Sequence, residues 1–348
     1  MKPNIVNFSD FHAHIFQDFS KPDAKFTTDR FKEQMLVLQS VFDYAKDHDA
    51  DVLFNGDLFH KRGVIDIRVF NWVYSIFTDY PDITMYLVRG NHDSLTNSIN
   101  SPSCLELFET IPNVHVVDTM QKIETPYYDL YCVAYGEEVE LMKQWIKDAS
   151  TLLNPDKVNI LCAHIGVDGS STGKYSHTLS GAFKVSDLYP DKFDIVTLGH
   201  YHKRQNLGGM DNVFYVGNTL QTSFSDEGQD KGFYFISIDR KKWIKEFIKT
   251  DYRPFITINA ENAPDDLSKA FYQFVGDPAE AKVVSDLKEK EDLSNLRISV
   301  QRDYDTKPRI NIQAGSTPQD VVKAYTEKNN PKLEEKALEI IREAEVSK

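Results

Sequence analysis

Five short polar segments in the first two hundred residues carry closely spaced aspartate, asparagine and histidine side chains. They offer carboxylate oxygen, amide oxygen and imidazole nitrogen, a mixture that suits manganese, iron or zinc better than calcium, whose ligands are nearly all oxygen. Each segment alone is more typical of a solvated turn or a surface histidine, but five in succession predict a metal centre. The segments are Ser-Asp10-Phe-His12, Asn-Gly-Asp57-Leu-Phe-His60, Arg-Gly-Asn91-His92-Asp93, Ala-His164 and Gly-His200-Tyr-His202.

Each polar segment directly follows a short apolar run that predicts a β-strand. These runs span residues 5–8, 52–54, 85–88, 158–162 and 195–198. Other strands are predicted at 114–117, 130–134, 213–216 and 233–238, and helices at 31–45, behind a Thr28 cap, and at 67–77. The pattern predicts a layered α/β sandwich with two sheets. Because ligands bind beyond the carboxyl ends of strands in open α/β sheets, we expect the five segments to lie close together.

The character of the chain changes near residue 254. A strand predicted at 255–258 runs into the turn-rich stretch NAENAPDD, which indicates a domain boundary. Beyond it the pattern predicts helices at 265–275 and 279–291, strands at 296–300 and 309–313, and closing helices at 317–328 and 332–345. We therefore expect three parts, which are residues 1–254, a small α+β domain at 255–315 and a helical tail at 316–348.

Composition excludes some classes of protein. The chain has 53 acidic and 40 basic residues and a formal charge of -13, which argues weakly against a nucleic-acid partner, although a site can differ in sign from the whole. Apolar runs are far shorter than the roughly 20 residues that cross a bilayer, and the start MKPNIVNFSD lacks the features of an export signal. Cys104, Cys132 and Cys162 are too few and too separated for a disulfide framework. We expect a cytoplasmic protein with no membrane partner.

The ordered motifs DxH, GDxxH, GNHD, a lone histidine and GHxH resemble those of the calcineurin-like metallophosphoesterase superfamily, across roughly residues 4–240. The resemblance implies a four-layer sandwich, two mixed sheets flanked by helices, that binds two divalent ions. Matched by position, one ion would be held by Asp10, His12, Asp57 and His202, and the other by Asp57, Asn91, His164 and His200. Asp57 would bridge the ions, His92 would face the substrate without binding metal, and His60 or Asp93 would orient His92. For Asp93, a hydrogen bond that stabilises the turn is an equal alternative.

Two segments resemble SbcD-type nucleases, the prokaryotic counterparts of the Mre-family break-repair nucleases. The loop GDLFHKRG has His60 where protein phosphatases carry an arginine-bearing GDxVDRG, and residues 216–238 resemble a family segment that ends in KGF. The length and short tail are similar to those of recombination nuclease subunits of large phages, which would place the chain in the host cytoplasm. The resemblance implies a Mn²⁺-dependent DNA exonuclease or endonuclease in DNA recombination, repair or replication. It also implies a capping domain, a homodimer and an SbcC-like ATPase partner bound through the C-terminal helices.

Two basic pairs, Lys61-Arg62 and Lys203-Arg204, follow motif histidines and are predicted to contact DNA phosphates. Exposed basic pairs are also common by chance. Two other functions stay open, namely a phosphodiesterase for small substrates such as cyclic nucleotides, and a DNA-end-binding scaffold with structural metals. His60 and the helical tail favour DNA as the substrate, and the spare His92 argues against a scaffold.

Overall fold

A computed structural model describes residues 1–171, 183–301 and 316–346. The chain divides into two compact units, Met1–Ser299 and Val300–Lys348. The predicted division into three domains at residues 254 and 315 stays a prediction, and the strand predicted at 309–313 lies outside the described residues.

The described chain contains six α-helices and seventeen strands, most of them in the first unit. The helices are α1 Asp29–Asp47, α2 Ile67–Thr78, α3 Val139–Ala149, α4 Pro278–Lys290, α5 Pro318–Asn329 and α6 Glu334–Val346. The strands are β1 Asn4–Phe8, β2 Pro22–Asp23, β3 Thr27–Thr28, β4 Ala50–Phe54, β5 Met85–Val88, β6 Val114–Val117, β7 Met120–Glu124, β8 Tyr128–Val133, β9 Val158–His164, β10 Ile195–Gly199, β11 Gln205–Asn206, β12 Val213–Tyr215, β13 Gly232–Asp239, β14 Lys242–Lys249, β15 Phe255–Ile258, β16 Phe271–Gly276 and β17 Leu296–Val300. Short 3-10 helices span Glu106–Thr110, Val185–Leu188, Phe224–Asp226 and Pro331–Leu333.

Two six-stranded mixed sheets form the centre of the first unit. The first has the order β14-β13-β1-β4-β5-β6, in which β1, β4, β5 and β6 run parallel. The second has the order β11-β12-β10-β9-β8-β7, with β8, β9, β10 and β12 parallel. Parallel neighbours end at the same edge of a sheet, so the polar segments that follow them are brought together there.

The layers are held by three apolar clusters. Helices α1 and α2 cover the outer face of the first sheet, where Phe8 and Phe42 meet edge to face with ring centroids 6.3 Å apart. Leu53 and Ile160 belong to the cluster between the two sheets, and Met142 of α3 packs on the outer face of the second sheet. Full burial of each such side chain contributes about 1.5–3 kcal/mol. The four-layer sandwich expected from the sequence is confirmed.

Some predicted elements need correction. The helix predicted at 265–275 is wrong, because residues 271–276 form β16, which pairs in parallel with β15 in a three-stranded sheet with β17. The aromatic and β-branched residues of FYQFVG favour a strand, and Phe274 is buried in the core of that sheet. Helix α3 was not predicted, although its buried Met142, Ile146 and Ala149 recur at helical spacing. Strand β7 carries too few buried residues to leave a signal.

In the second unit the structure describes the helices α5 and α6, which confirm the predicted pair of closing helices. Thr317 caps α5 by accepting a hydrogen bond from the Asp320 N–H at 3.2 Å. Leu333, Tyr325 and Ile340 expose more than half of their surface. Among the described residues, none of the helices has the length and apolar character that a membrane crossing requires.

Candidate metal centre

The predicted ligands converge at the carboxyl ends of five strands, as expected from the sequence. Asp10, Asp57 and Asn91 come from the loops after β1, β4 and β5 of the first sheet. His164 ends β9, and His200 follows β10, in the second sheet. The site therefore lies where the edges of the two sheets meet.

The first group of ligands surrounds His12. Its Nε2 lies 2.9 Å from Nε2 of His202 and 3.7 Å from Oδ2 of Asp57. Asp10, His12 and His202 also offer ligand atoms that all lie within 4.8 Å of one another. Two imidazole nitrogens that face each other so closely can direct both lone pairs at one cation, which fits a transition metal.

The second group surrounds His164 and shares Asp57 with the first. Nε2 of His164 lies 3.4 Å from Oδ2 of Asp57 and 3.0 Å from Oδ1 of Asn91. Nδ1 of His200 lies 3.1 Å from the same Asn91 oxygen. Oδ2 of Asp57 thus faces both groups, and Oδ1 accepts a hydrogen bond from the His92 N–H at 2.8 Å. This is the arrangement expected of a bridging carboxylate.

The backbone at the ligands is strained. Asp10, His12, Asp57 and His200 have φ values of 51°, 52°, 63° and 104°, in the left-handed region that costs a residue with a Cβ about 1–3 kcal/mol. A Cβ on Gly199 would lie 2.2 Å from the carbonyl oxygen of Asn55, so only glycine fits there. The surrounding fold holds these side chains in positions that the local chain does not favour.

Several buried groups support the ligands. Nδ1 of His164 lies 2.7 Å from the carbonyl oxygen of Asn55, which can only accept, so Nδ1 carries the proton and Nε2 is left for a metal. The Asp93 carboxylate accepts hydrogen bonds from four backbone N–H groups in the Asp57 and Asn91 loops, at 2.8–3.2 Å. The geometry therefore gives Asp93 the turn-stabilising contacts, and among the described residues it makes no hydrogen bond to the His92 ring.

His92 and His60 lie side by side. Nδ1 of His92 hydrogen-bonds the carbonyl oxygen of His60, and the two rings are nearly parallel with centroids 5.9 Å apart. The carbonyl can only accept, so Nδ1 of His92 is protonated and its Nε2 is left for a substrate. Burial lowers the pKa of His60 to about 4.

Burial and the Asp57 carboxylate determine the pKa values of the histidines in the site. Burial lowers the pKa of His12 well below its usual range and lowers that of His200 to about 4, because a buried imidazolium loses hydration. Burial also opposes charge on His164, but the Asp57 carboxylate outweighs it and raises the pKa of His164 to about 9. His164 and Asp57 therefore form a buried ion pair, and a divalent cation bound between them would displace the His164 proton.

The four predicted phosphate contacts differ in their surroundings. Arg62 donates from Nε to the carbonyl oxygen of Asn91 at 2.8 Å and from Nη1 to the Asn97 side chain. Arg204 stacks on Phe247 at 4.1 Å, and Nζ of Lys203 lies 3.3 Å from the Ser171 hydroxyl. Lys61 is exposed.

Two residues near the ligands were not identified from the sequence. Tyr135 stacks against the imidazole of His200 with centroids 6.0 Å apart, and its position directly after a predicted strand was the available signal. Nζ of Lys231, in the KGF segment, donates to the carbonyl oxygen of His202 at 2.8 Å and to Asp226 at 2.9 Å. Both residues contact predicted ligands, but neither is itself a predicted ligand.

Two groups of candidate ligands that share one carboxylate are the arrangement that a two-metal phosphoesterase requires. The calcineurin-like phosphoesterase family matches residues 3–204, more than half of the chain. The chain belongs to this family, and membership implies a metal-dependent phosphoester hydrolase.

One relative supports the narrower resemblance. The chain is 28% identical over 141 residues to the SbcD subunit of the SbcCD nuclease of Staphylococcus epidermidis, a match that covers 40% of this chain and 36% of the relative. Two solved structures match part of the chain. A dimetal phosphatase from Danio rerio has a TM-score of 0.47 at 10% identity, over 72% of this chain and 98% of that one. A hypothetical protein from Thermus thermophilus has a TM-score of 0.40 at 11% identity, over 71% of this chain and 100% of that one.

Proposed function

We propose that the protein is a Mn²⁺-dependent DNA nuclease and the catalytic subunit of an SbcCD-like ATPase–nuclease complex in DNA recombination, repair or replication. The observation that carries the proposal is the shared carboxylate, since Oδ2 of Asp57 lies 3.7 Å from His12 and 3.4 Å from His164. The partial match to the SbcCD nuclease favours DNA over a small substrate. His60, which follows GDLF, points in the same direction.

The residues of the site have different roles in phosphodiester hydrolysis. Two divalent ions, when bound, would activate water and stabilise the charge of an in-line displacement. Asp57 lies between the two ligand groups, and the Asn91 amide oxygen contacts both histidines of the second group. In its doubly protonated form, His92 donates the Nε2 proton to the leaving sugar oxygen and keeps the Nδ1 proton on the His60 carbonyl, which fixes the orientation of the ring. Asp93 holds the backbone of both loops, so it acts through Asp57 and not on the substrate.

The DNA backbone is proposed to contact Lys61, Arg62, Lys203 and Arg204. Replacing all four with alanine should weaken DNA binding and reduce the salt slope by about one for each phosphate that the variant can no longer bind. Arg62 also tethers Asn91, so a variant that retains it and changes the other three separates phosphate binding from damage to the site. Lys242→Ala, on the exposed edge strand β14, is the matched control. An unchanged slope in the fourfold variant would remove these residues from the DNA path.

The helical tail is proposed to bind an SbcC-like ATPase. Three exposed apolar side chains are of the kind that an amphipathic helix buries in a partner groove. They are Tyr325 on α5, Leu333 on the 3-10 helix before α6, and Ile340 on α6. Deleting residues 317–348 should abolish co-purification with the ATPase and leave hydrolysis of a small phosphodiester intact. A deletion variant that still forms the complex would exclude the tail.

A homodimer is proposed through α2 and the neighbouring 3-10 helix. Ile67 and Leu107 are 72% and 58% exposed, whereas Phe77 and Phe108, on the same two elements, are buried in the core. The exposed pair is therefore available for a second copy of the chain. Ile67→Lys with Leu107→Lys should shift the protein to monomer in sedimentation; a dimer that persists would place the interface elsewhere.

The deciding experiment is digestion of end-labelled duplex and single-stranded DNA with Mn²⁺, with and without the candidate ATPase. We expect cleavage that chelation abolishes. His92→Gln should keep Mn²⁺ affinity and lower turnover by about 10²–10⁴-fold, as loss of a proton donor does. Cleavage of bis-p-nitrophenyl phosphate but not of DNA would favour a small-substrate phosphodiesterase, and normal DNA cleavage by His92→Gln would contradict the assigned mechanism.

A further inference from the structure

A buried arginine joins the small three-stranded sheet to the sandwich. Arg30, near the start of α1, is only 5% exposed, and burial lowers its pKa to about 10. Its Nη1 donates to the carbonyl oxygen of Asp18 at 3.1 Å and its Nη2 to that of Thr222 at 2.6 Å. Its guanidinium carbon lies 5.2 Å from the Phe255 ring of β15 and 5.3 Å from the Phe271 ring of β16.

The same guanidinium contacts the loop that follows the first ligands. Its carbon lies 4.1 Å from the ring centroid of Phe16, the shortest of its ring contacts. The Phe16 ring lies 5.0 Å from His60, and His60 stacks on His92 at 5.9 Å. A continuous row of flat groups therefore runs from Arg30 through Phe16 and His60 to His92, the proposed proton donor.

We propose that Arg30 is a positioning residue that holds Phe16 against His60 and, through this contact, sets the geometry of His60 and His92. The inference rests on the proposed hydrolysis of phosphodiesters, but not on DNA being the substrate. His60 orients His92 through its carbonyl oxygen, so a shift of the His60 loop moves Nε2 of His92. Misplacement of a reacting group by about 1 Å can cost up to 100-fold in rate.

The chemistry of the contact explains the arginine. A planar guanidinium can lie over an aromatic face and still donate in its own plane to the two carbonyl oxygens of Asp18 and Thr222. Removal of the guanidinium frees the Phe16 ring and leaves both carbonyls without this donor. Phe16 then has fewer contacts that hold it against His60.

Arg253 provides a matched control. It also ties the small sheet to α1, through Asp29 at 2.9 Å and Glu33 at 3.0 Å, and it lies 4.5 Å from the Phe271 ring. Among the described residues it makes no cation–ring contact with Phe16. Arg253→Met therefore loosens the same attachment without touching the row that leads to His92.

The test compares Arg30→Met, Phe16→Leu, Arg253→Met and the double variant Arg30→Met/Phe16→Leu with Mn²⁺ and bis-p-nitrophenyl phosphate. We expect Arg30→Met and Phe16→Leu each to lower kcat about 10- to 100-fold with little change in KM, and Arg253→Met to leave kcat near the native value. The second change in the double variant should cost less than about twofold, because the residues act in one row. Phe16→Leu removes no buried charge, so it still tests the proposal if Arg30→Met does not fold.

A second readout needs no metal or substrate. In metal-free protein labelled with ¹⁵N-histidine, the His60 ring resonance, identified by its loss in His60→Gln, should shift in Arg30→Met and Phe16→Leu but not in Arg253→Met. Equal loss of kcat in Arg253→Met, additive effects in the double variant, or an unmoved His60 resonance would each overturn the proposal. If the native protein hydrolyses neither DNA nor the small ester, the proposed function fails, while the resonance still tests the contact.

Discussion

Lys231 is the buried group whose removal should affect the metal centre most clearly without changing a ligand. The side chains of Lys231 and Asp226 are 1% and 2% exposed, and the Lys231 ammonium lies 2.9 Å from the Asp226 carboxylate. The remaining donors of the ammonium bind the Gln229 side chain at 2.9 Å and the carbonyl oxygen of His202 at 2.8 Å. Lys231→Met therefore leaves one carboxylate and one ligand carbonyl without this cation.

The expected magnitude has two parts. Removing one partner of a buried ion pair typically costs about 3–5 kcal/mol, because the other charge stays buried, so the free energy of unfolding should fall by that amount. Loss of a group that orients a ligand typically costs about 10- to 100-fold in metal affinity, and we expect this for Mn²⁺. Lys231→Met/Asp226→Asn removes both charges and should recover most of the stability, since asparagine can still accept the Thr222 N–H bond, 2.9 Å long in the native protein. It should not recover the metal affinity, since the His202 carbonyl then keeps only the longer bond from the Asn218 N–H, at 3.3 Å.

Urea unfolding of metal-free protein measures the first part, and calorimetric Mn²⁺ titration the second. Lys249→Met, which breaks an ion pair with Asp230 on the surface, is the control and should change neither quantity by much. Native unfolding energy in Lys231→Met, or recovery of both stability and Mn²⁺ affinity in the double variant, would refute the assignment of Lys231 as support for His202.

Three further predictions concern the metal centre, and a fourth concerns the stability of the fold. Gly199→Ala should abolish tight Mn²⁺ binding in calorimetry, because the new Cβ would lie 2.2 Å from the Asn55 carbonyl oxygen; binding at native affinity would show that the loop can move. Mn²⁺ binding at pH 7.5 should release at least one proton, since the His164 pKa of about 9 keeps this ring protonated without metal, and affinity should rise with pH up to about 9; calorimetry in buffers of different ionisation enthalpy checks this. Without metal the same raised pKa stabilises the fold fully below its ordinary value of 6.5, and this contribution is lost as the pH rises through about 9. Arg89→Leu should lower the free energy of unfolding by at least about 3 kcal/mol in urea, because it leaves the carbonyl oxygens of Ile99, Asp118 and Tyr135 without this donor, and a native midpoint would contradict this.

The predicted ligands could be named from the sequence because each stands directly after a strand with a clear pattern. In a sheet of parallel strands, the end of one strand fixes where the following loop lies, so local patterns carry long-range information. The same logic would have included Tyr135, which follows a predicted strand and stacks on His200. The helix predicted at 265–275 failed because the aromatic residues of β16 contact Phe255 and Arg30, distant in the sequence, and those partners decide between strand and helix.

The sequence by itself determined the ligand types, their order and the two-sheet sandwich, since strand patterns and motif residues are local properties of the chain. Only the tertiary structure decided that Oδ2 of Asp57 faces both groups of predicted ligands, that the Asp93 carboxylate contacts backbone amides, and that Arg30 contacts Phe16 and Lys231 the His202 carbonyl. Most of these contacts join residues about 30 or more positions apart, and Arg30 also bonds the Thr222 carbonyl across 192 positions. Their geometry depends on how the layers pack, and packing is a property of the whole core rather than of any short segment.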